Sequence, residues 1–245
     1  MPFTLSHPAA VLLLRRTPLP VAAMVAGSMA PDVPMFVQER GFYGLTHSLV
    51  GVVTVDLVMG VVAVAFWFGL LRDPLVDLCP AAVRERLAAT ARYDARQWRL
   101  VVPAVVSGSL THVAWDSFTH HGRWGAEHVP WLRDEHHGHY GAEWAQFGSS
   151  VLGLVVVALW AVVLVRRLPR EPRPATVPQL GVRALSVVAV LTVASGLAAG
   201  LTTTLPGPGY LVSQAAVVGT MIMVFSLLVV VGTWQVVVSR RPAGP

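Results

Sequence analysis

Four long apolar stretches constrain the fold of this chain more than any other feature of its sequence. They cover residues 49–71, 149–165, 184–205 and 211–238. A helix of about 20 residues crosses the roughly 30 Å apolar core of a bilayer, so each stretch is long enough, or nearly long enough, to span it. The mean hydropathy of +0.61 agrees with this interpretation. The sequence therefore predicts an all-α fold, a multi-pass integral membrane helical bundle.

Two further regions complete the predicted bundle. Residues 101–118 are apolar apart from His112 and Asp116, and we count them as a fifth spanning helix because ionisable residues inside a membrane mark functional sites.

Residues 5–16 and 19–30 are each about 12 residues long, or ~18 Å as helix, and the prolines between them favour a break. We predict a helical hairpin there. The prediction places His7 and Asp32 at the same open end of this hairpin. Partial insertion into the membrane is favoured, and an amphipathic hairpin on the outer surface is the alternative.

The basic residues set the predicted orientation. The chain has 18 arginines and no lysine. Residues 72–100 carry six arginines, residues 166–183 carry five and the tail carries two, whereas residues 119–148 carry only two. By the positive-inside rule, five crossings place the arginine-rich segments in the cytoplasm. The segments predicted outside are 1–48, 119–148 and 206–210. We therefore expect a protein of the cell membrane, inner or plasma, and the short arginine clusters argue against a nucleic-acid partner.

We divide the chain into two predicted domains. Residues 1–148 hold the hairpin, two spanning helices and a histidine-rich outer loop, and we expect them to form a metal-site membrane domain. Residues 149–245 form a predicted three-helix transmembrane scaffold, with an arginine- and proline-rich cytoplasmic linker at 166–183. Small residues between Ala194 and Gly200 suit close helix packing, so the C-terminal helices are a candidate homo-oligomer surface.

All nine histidines lie in the first 139 residues of the chain. Only 13% of the residues are charged and 54% are hydrophobic, and burying His or Asp in such a chain is costly unless something binds them. The strongest motif is THVAWDSFTHHG at residues 111–122, in which His112, Asp116 and His120 share one helix face at i, i+4 and i+8. Imidazole and carboxylate together suit a divalent cation such as zinc. A buried His–Asp hydrogen bond between two helices is the alternative.

Three upstream residues join this motif as candidate ligands. His47 lies at the outer end of the first spanning helix, Asp32 follows an apolar stretch, and His7 lies near the start of the chain. Alone, each has an ordinary explanation, as an interfacial histidine, a helix-end carboxylate or a residue that precedes a helix. The predicted topology brings all three to the membrane face of Asp116 and His120, and this convergence favours a metal site.

The outer loop offers a second pair at helical spacing. His139 and Glu143 stand at i, i+4, so we favour them as functional residues over His136 or His137. An adventitious histidine-rich loop is the alternative. Asp56 lies inside the first spanning helix, where we predict a polar contact within the bundle, with an arginine as a candidate partner, and not a metal ligand.

Four segments follow one another along the chain in the order PFTLSHPA, GSMAPDVP, THS and THVAWDSFTHHG. These segments resemble an uncharacterised bacterial membrane family, domain of unknown function 4184. They resemble more loosely the predicted membrane-bound metal-dependent hydrolases of the YdjM type. The resemblance covers roughly residues 1–150.

A more distant likeness is to the all-helical zinc phospholipase C and P1 nuclease group. Those enzymes bind three zinc ions through an ordered series of His, Asp, His, His-x-x-x-Asp, His and His-x-x-x-Glu. The residues of this chain that follow that order are His7, Asp32, His47, His112 with Asp116, His120, and His139 with Glu143. The likeness implies one to three zinc ions, with a mononuclear or dinuclear site favoured, and it leaves the choice between His120 and His121 open.

These resemblances imply zinc-dependent hydrolysis of a phosphoester, with a membrane lipid or lipid-linked substrate, at the extracytoplasmic face. The implied metal ligands are Asp32, His47, His112 and Asp116, with His7 and His120 as further ligands or as their supports. Glu143 is a candidate general base and Arg123 a candidate phosphate contact. A metal-handling transporter and a non-catalytic membrane scaffold are the rival functions. Metal retained by the purified protein would favour the enzyme or the transporter over the scaffold. Substrate turnover that is lost when Asp116 is mutated would favour the enzyme over the transporter.

Overall fold

The computed structural model describes residues 4–36, 40–87, 92–177, 180–202 and 208–240. Within these residues the chain is helical almost throughout, which confirms the predicted all-α class. The exception is a hairpin of two short antiparallel strands, β1 (Glu135–His136) and β2 (His139–Tyr140). The two residues between them, His137 and Gly138, both have positive φ angles, as a tight turn between twisted strands requires.

The helices are numbered in chain order. Before the strands they are α1 (Thr4–Leu14), α2 (Val21–Phe36), α3 (Tyr43–Thr46), α4 (Leu49–Val53), α5 (Val55–Leu78), α6 (Ala81–Leu87), α7 (Ala95–Arg99), α8 (Val101–Thr119), α9 (Trp124–His128) and α10 (Pro130–Arg133). After the strands they are α11 (Gly141–Arg167), α12 (Gly181–Thr202) and α13 (Pro208–Ser239). Parts of α1 and α2 are 3-10 turns, and a 3-10 turn at Arg40–Phe42 precedes α3.

The chain folds into two compact units. The first comprises Met1–Ala65 and Tyr93–Val162, and the second comprises Phe66–Arg92 and Val163–Pro245. All the candidate site residues named from the sequence lie in the first unit. The functional division into a metal-site domain and a scaffold remains a prediction.

Four helical segments are long and apolar enough to cross a membrane, which supports the membrane bundle. They are Val55–Leu78, Gly141–Arg167, Arg183–Thr202 and Gln214–Ser239. The predicted fifth span is present as the 19-residue helix α8, but it is not one of the four. Its His, Asp, Ser, Thr and Gly residues lower its hydropathy, and it is partly enclosed by protein instead. The predicted helix end at residues 203–205 and loop residues 206 and 207 lie outside the described residues.

Helices α2 and α8 form the centre of the first unit and touch backbone to backbone. Gly27 lies against the backbone of Val105, and Gly108 lies against the backbone of Met24, so a Cβ atom at either glycine would overlap the facing helix. The Ser109 hydroxyl donates a hydrogen bond of 3.0 Å to the Gly27 carbonyl oxygen. Small residues allow this close approach, which fixes the relative height of the two helices.

Helices α1 and α2 form the predicted N-terminal hairpin. At its open end the Thr4 hydroxyl donates a 2.6 Å hydrogen bond to Asp32 Oδ2, so the predicted common end of His7 and Asp32 is present. Near the turn, the backbone N–H of Ala23 donates to the Tyr93 hydroxyl over 3.1 Å. The hairpin therefore runs along α8 from the end that carries Asp116 toward Tyr93. Its insertion into a membrane remains a prediction.

A buried carboxylate, Asp77, organises the second unit. Its oxygens accept hydrogen bonds from the backbone N–H groups of Thr176 (2.6 Å) and Val177 (3.1 Å) and from the Trp234 indole (2.8 Å). Three donors satisfy an ionised carboxylate well, so this residue ties the linker to α5 and α13.

Candidate metal centre

Four side chains from three segments converge in the first unit. Helix α8 presents His112 and Asp116 on one face, the end of the 3-10 turn in α2 supplies Asp32, and His47 follows α3. Their relative exposures are 0%, 2%, 4% and 5%, so water is largely excluded from the group. Each residue offers one ligand atom, and these four atoms all lie within 4.8 Å of one another.

The nitrogen and oxygen atoms that these four side chains direct to the centre lie close together. The Nε2 atoms of His47 and His112 are 3.3 Å apart. Asp116 Oδ2 lies 3.3 Å from Nε2 of His47 and 3.5 Å from Nε2 of His112. Asp32 Oδ1 lies 3.7 and 3.6 Å from the same two nitrogens.

The outer nitrogens of both rings are committed to backbone carbonyl groups. His112 Nδ1 donates to the Ser28 carbonyl oxygen at 2.8 Å, and His47 Nδ1 donates to the Tyr43 carbonyl oxygen at 3.0 Å. A carbonyl oxygen can only accept, so in each neutral ring Nε2 carries a lone pair that faces the carboxylates. A backbone carbonyl that fixes the far nitrogen is typical of histidines that bind metals.

The charges of the group favour a cation at its centre. Burial alone would lower the pKa of His47, but hydrogen bonds to Asp116 and Asp32 outweigh burial and raise that pKa to about 9. Burial opposes ionisation of Asp32, yet hydrogen bonding by His47 and the neighbouring imidazole charges hold the pKa of Asp32 below its ordinary value. Protons on both Nε2 atoms would face each other across 3.3 Å. One metal ion can take both lone pairs without that conflict.

Two residues of α1 support the carboxylates from behind. His7 is fully buried, its Nε2 lies 3.1 Å from Asp116 Oδ1, and its ring stacks on His112 with centroids 3.8 Å apart. Thr4 binds Asp32 Oδ2 in the same way. Each carboxylate thus turns one oxygen to the centre and the other to a supporting residue. The structure places His7, a predicted ligand, beside the four-residue group and not within it.

His120 lies at the edge of the group, with 21% of its side chain exposed. Its Nδ1 is 3.3 Å from the Asp116 carbonyl oxygen and 3.6 Å from Asp116 Oδ2. Its Nε2 accepts a 3.1 Å hydrogen bond from the Gln146 amide, and burial lowers the pKa of His120. The neighbouring His121 is exposed and stacks on Tyr140, so His120 is the one that contacts Asp116.

Sequence reasoning missed Gln146. It is a buried amide on α11, a helix that is otherwise strongly apolar, and a polar side chain in such a helix is the signal that could have revealed it.

One fixed positive charge lies beside the ligands. An Arg123 guanidinium nitrogen lies 3.5 Å from the His47 carbonyl oxygen, and the guanidinium sits 5.3 Å from the centre of the Tyr43 ring. Arg123 is only half-buried, so its remaining donors can reach an anion that approaches the site.

The structure does not bring His139 and Glu143 to this group. The two side chains pair with each other at 3.1 Å, and His139 is exposed whereas Glu143 is half-buried. Among the described residues, neither belongs to a cluster of three or more metal-ligand side chains. The predicted contact of Asp56 with an arginine is wrong, because neither oxygen of Asp56 has a hydrogen-bond partner in the described part of the chain.

The fold and the site together define a helical membrane protein with a buried Asp/His/His/Asp group that can bind a metal ion. The chain belongs to the family described as Domain of unknown function (DUF4184), whose model matches residues 1–238. The match extends well beyond residue 150, so the C-terminal helices belong to the family pattern as well. Neither the curated proteins nor the solved structures include a match to the chain.

Proposed function

We propose that this protein is a membrane-embedded, zinc-dependent hydrolase of phosphoesters. The site faces the extracytoplasmic side of the cell membrane, and the substrate is a lipid or a lipid-linked molecule. The observation that carries the proposal is the convergence of His47, His112, Asp32 and Asp116, each with one ligand atom directed to a common buried point.

The donor set suits zinc better than the common hard cations. Two imidazole nitrogens and two carboxylate oxygens are ligands that zinc prefers. Calcium and magnesium prefer oxygen ligands throughout. If three of these residues held a zinc ion, a position would remain free for water or a phosphoryl oxygen, toward which the ion would act as a Lewis acid. His7 and His120 hold Asp116 in place for this role.

Arg123 supports an anionic, phosphate-containing substrate. Its guanidinium group lies against the backbone of the ligand His47, so an anion bound by Arg123 would also be close to the metal ligands. A planar guanidinium recognises phosphate oxygens through two parallel hydrogen bonds.

Exposed aromatic side chains support a lipid substrate. The segment that follows α8 on the site side exposes Trp124 (68%), Trp131 (52%) and Trp144 (44%). Tryptophan is enriched at membrane interfaces, where its ring meets both lipid and headgroup. A phosphoester carried by a lipid would present its headgroup at that depth.

Metal content is the first test. Protein purified in detergent without chelator should contain stoichiometric zinc by mass spectrometry, and the His112→Ala/Asp116→Ala variant should contain none. The exposed His139→Ala variant is the matched control and should keep its zinc. If the wild type neither contains zinc nor takes it up on addition, the hydrolase proposal fails and a structural role for the His–Asp contacts is favoured.

Turnover is the second test. Phosphodiester and phospholipid substrates should be hydrolysed by the wild type and not by Asp116→Ala. Arg123→Ala should lower kcat/KM by about 10- to 100-fold, the equivalent of a hydrogen bond to a charged group, and Arg123→Lys should recover part of it. Zinc flux across vesicles that depends on Asp116, without hydrolysis, would favour the transporter instead.

A further inference from the structure

Asp56 is a buried carboxyl group that the metal centre does not use. It lies in the first turn of α5, directly after a break in the helix at Thr54, and its exposure is 0%. Neither of its oxygens has a hydrogen-bond partner, and no described residue forms an ion pair with it. This is the least satisfied carboxyl group in the described part of the chain.

An ionised carboxylate is disfavoured in this position. A buried charge without a partner is among the costliest arrangements in a protein, and inside a membrane bundle there is no water to offset it. Asp77, on the same helix, shows the alternative, because three N–H donors satisfy its oxygens. Asp56 has none of these donors among the described residues, so a bound cation would remove the cost of its charge.

A proton is the cation that fits. A metal ion needs several ligands, and Asp56 belongs to no group of three or more His, Cys, Asp or Glu side chains among the described residues. A proton needs only one oxygen of the carboxyl group itself. Binding it forms one O–H bond and changes no other bond.

The surroundings place this group beneath the metal centre. Gly60, one turn further along α5, contacts Val105 of α8, and α8 continues from there to His112. The titratable groups whose charges act on Asp56 are His47 and His112. The part of α2 that packs against α8, Val21–Met29, carries no titratable side chain.

We infer that Asp56 is a proton-binding site, a carboxyl group that binds and exchanges a proton in the bundle interior beneath the metal centre. The inference does not depend on hydrolysis, because the geometry of Asp56 is the same whether the centre catalyses a reaction or only binds metal. An ionisable residue inside a membrane bundle is the kind of group that proton-transferring proteins use.

Infrared spectroscopy of the purified protein tests the inference directly. The wild type should show the C=O stretch of a protonated carboxyl group, which ionised carboxylates lack, and Asp56→Asn should lose that band. Asp77→Asn is the matched control and should keep it. The band should shift in D2O, because the proton exchanges. Zinc content should be the same in Asp56→Asn as in the wild type, so a failure of the hydrolase proposal leaves this result untouched.

Four outcomes would overturn the inference. They are an Asp56→Asn spectrum identical to that of the wild type, a band that never shifts in D2O, a band removed by Na⁺ or Mg²⁺ at constant pH, and loss of zinc in Asp56→Asn. If Asp56→Asn does not fold, Asp56→Glu keeps an acid at this position. That variant should move the band to a new frequency, and an unmoved band would count against the inference.

Discussion

At the scale of single residues, the centre depends on carboxylates whose two oxygens have different partners. Asp116 turns Oδ2 toward the ligand nitrogens and Oδ1 toward His7, and Asp32 turns Oδ2 toward Thr4. A supporting residue of this kind fixes the orientation of a ligand without binding the metal. Ligands and supports should therefore respond differently to substitution.

Substitution of His7 separates these two roles. We expect His7→Phe to weaken zinc binding by about 10- to 100-fold, the usual effect of losing a residue that orients a ligand. His7→Gln should recover part of the affinity, because its amide can donate to Asp116. Both variants should still reach the wild-type zinc stoichiometry at saturation, measured by competition with a chromophoric chelator. A stoichiometry that falls in His7→Phe even at saturating zinc would mean that His7 is itself a ligand.

The sequence could predict part of the site because helical spacing is local. The i, i+4 pair His112 and Asp116 meets at the centre as that spacing predicts. The pair His139 and Glu143 has the same spacing and also forms a contact, but it lies on the surface. Spacing along one helix does not encode whether a face is buried, since burial depends on the segments that cover it. Gln146 shows the same limit, because a polar side chain in an apolar helix marks the residue, but its contact with His120 depends on how α11 packs.

At the scale of helices, the contact between α2 and α8 positions the ligands. Asp32 is carried by α2, whereas His112 and Asp116 are carried by α8, so the separation of the two helices sets the distance between the carboxylates. That separation is small because Gly27 and Gly108 present no side chain to the facing backbone.

A methyl group at Gly27 should therefore damage both the fold and the site. We expect Gly27→Ala to lower the stability of the protein by about 1–3 kcal/mol or more, because α2 must move away from α8. Zinc affinity should fall in the same variant. The measurements are thermal unfolding in detergent, with and without zinc, and the chelator competition.

Gly148→Ala is the matched control for this prediction. Gly148 lies on α11, and a Cβ atom there would meet nothing within 4 Å. Replacing a helical glycine by alanine without a clash should be neutral or stabilising by up to roughly 1 kcal/mol. Equal effects of the two substitutions would show that the α2–α8 contact is not what holds the ligands together.

The sequence predicts a spanning helix well where a long apolar stretch marks it. The prediction is less complete where polar residues interrupt the apolar stretch. Helix α8 is as long as a spanning helix, yet His112 and Asp116 reduce its hydropathy because they serve the site. The short helices α1 and α2 were predicted from the prolines between them, but their close contact with α8 depends on Gly27 and Gly108, which no periodicity identifies.

At the scale of the whole molecule, the direction of the N-terminal hairpin helps to predict the orientation of the protein in the membrane. Helices α2 and α8 run in the same direction, since Ala23 of α2 binds Tyr93, which precedes α8, whereas Asp32 further along α2 lies 3.6 Å from His112. The hairpin turn therefore lies toward the start of α8, away from the metal centre, and we expect it to face the opposite side of the membrane.

Four arginines of the first unit agree with this arrangement. Arg15 and Arg16 precede the hairpin turn, and Arg96 and Arg99 precede α8, so all four belong to the end of the unit away from the site. By the positive-inside rule we expect that end to be cytoplasmic. The sequence alone predicted residues 1–48 outside as one segment, because it treats the hairpin as too short to cross.

Cysteine labelling can test this orientation in intact cells. In a Cys79→Ser background, Glu135→Cys should react with an impermeant thiol reagent from outside, because Glu135 is exposed in the strand hairpin that follows α8. Thr17→Cys should react only after the membrane is permeabilised, because Thr17 is exposed in the turn at the opposite end. Labelling of both positions from outside would mean that the hairpin lies on the outer surface. Reversed labelling would place the metal centre on the cytoplasmic side, and a hydrolase there would act on the inner leaflet.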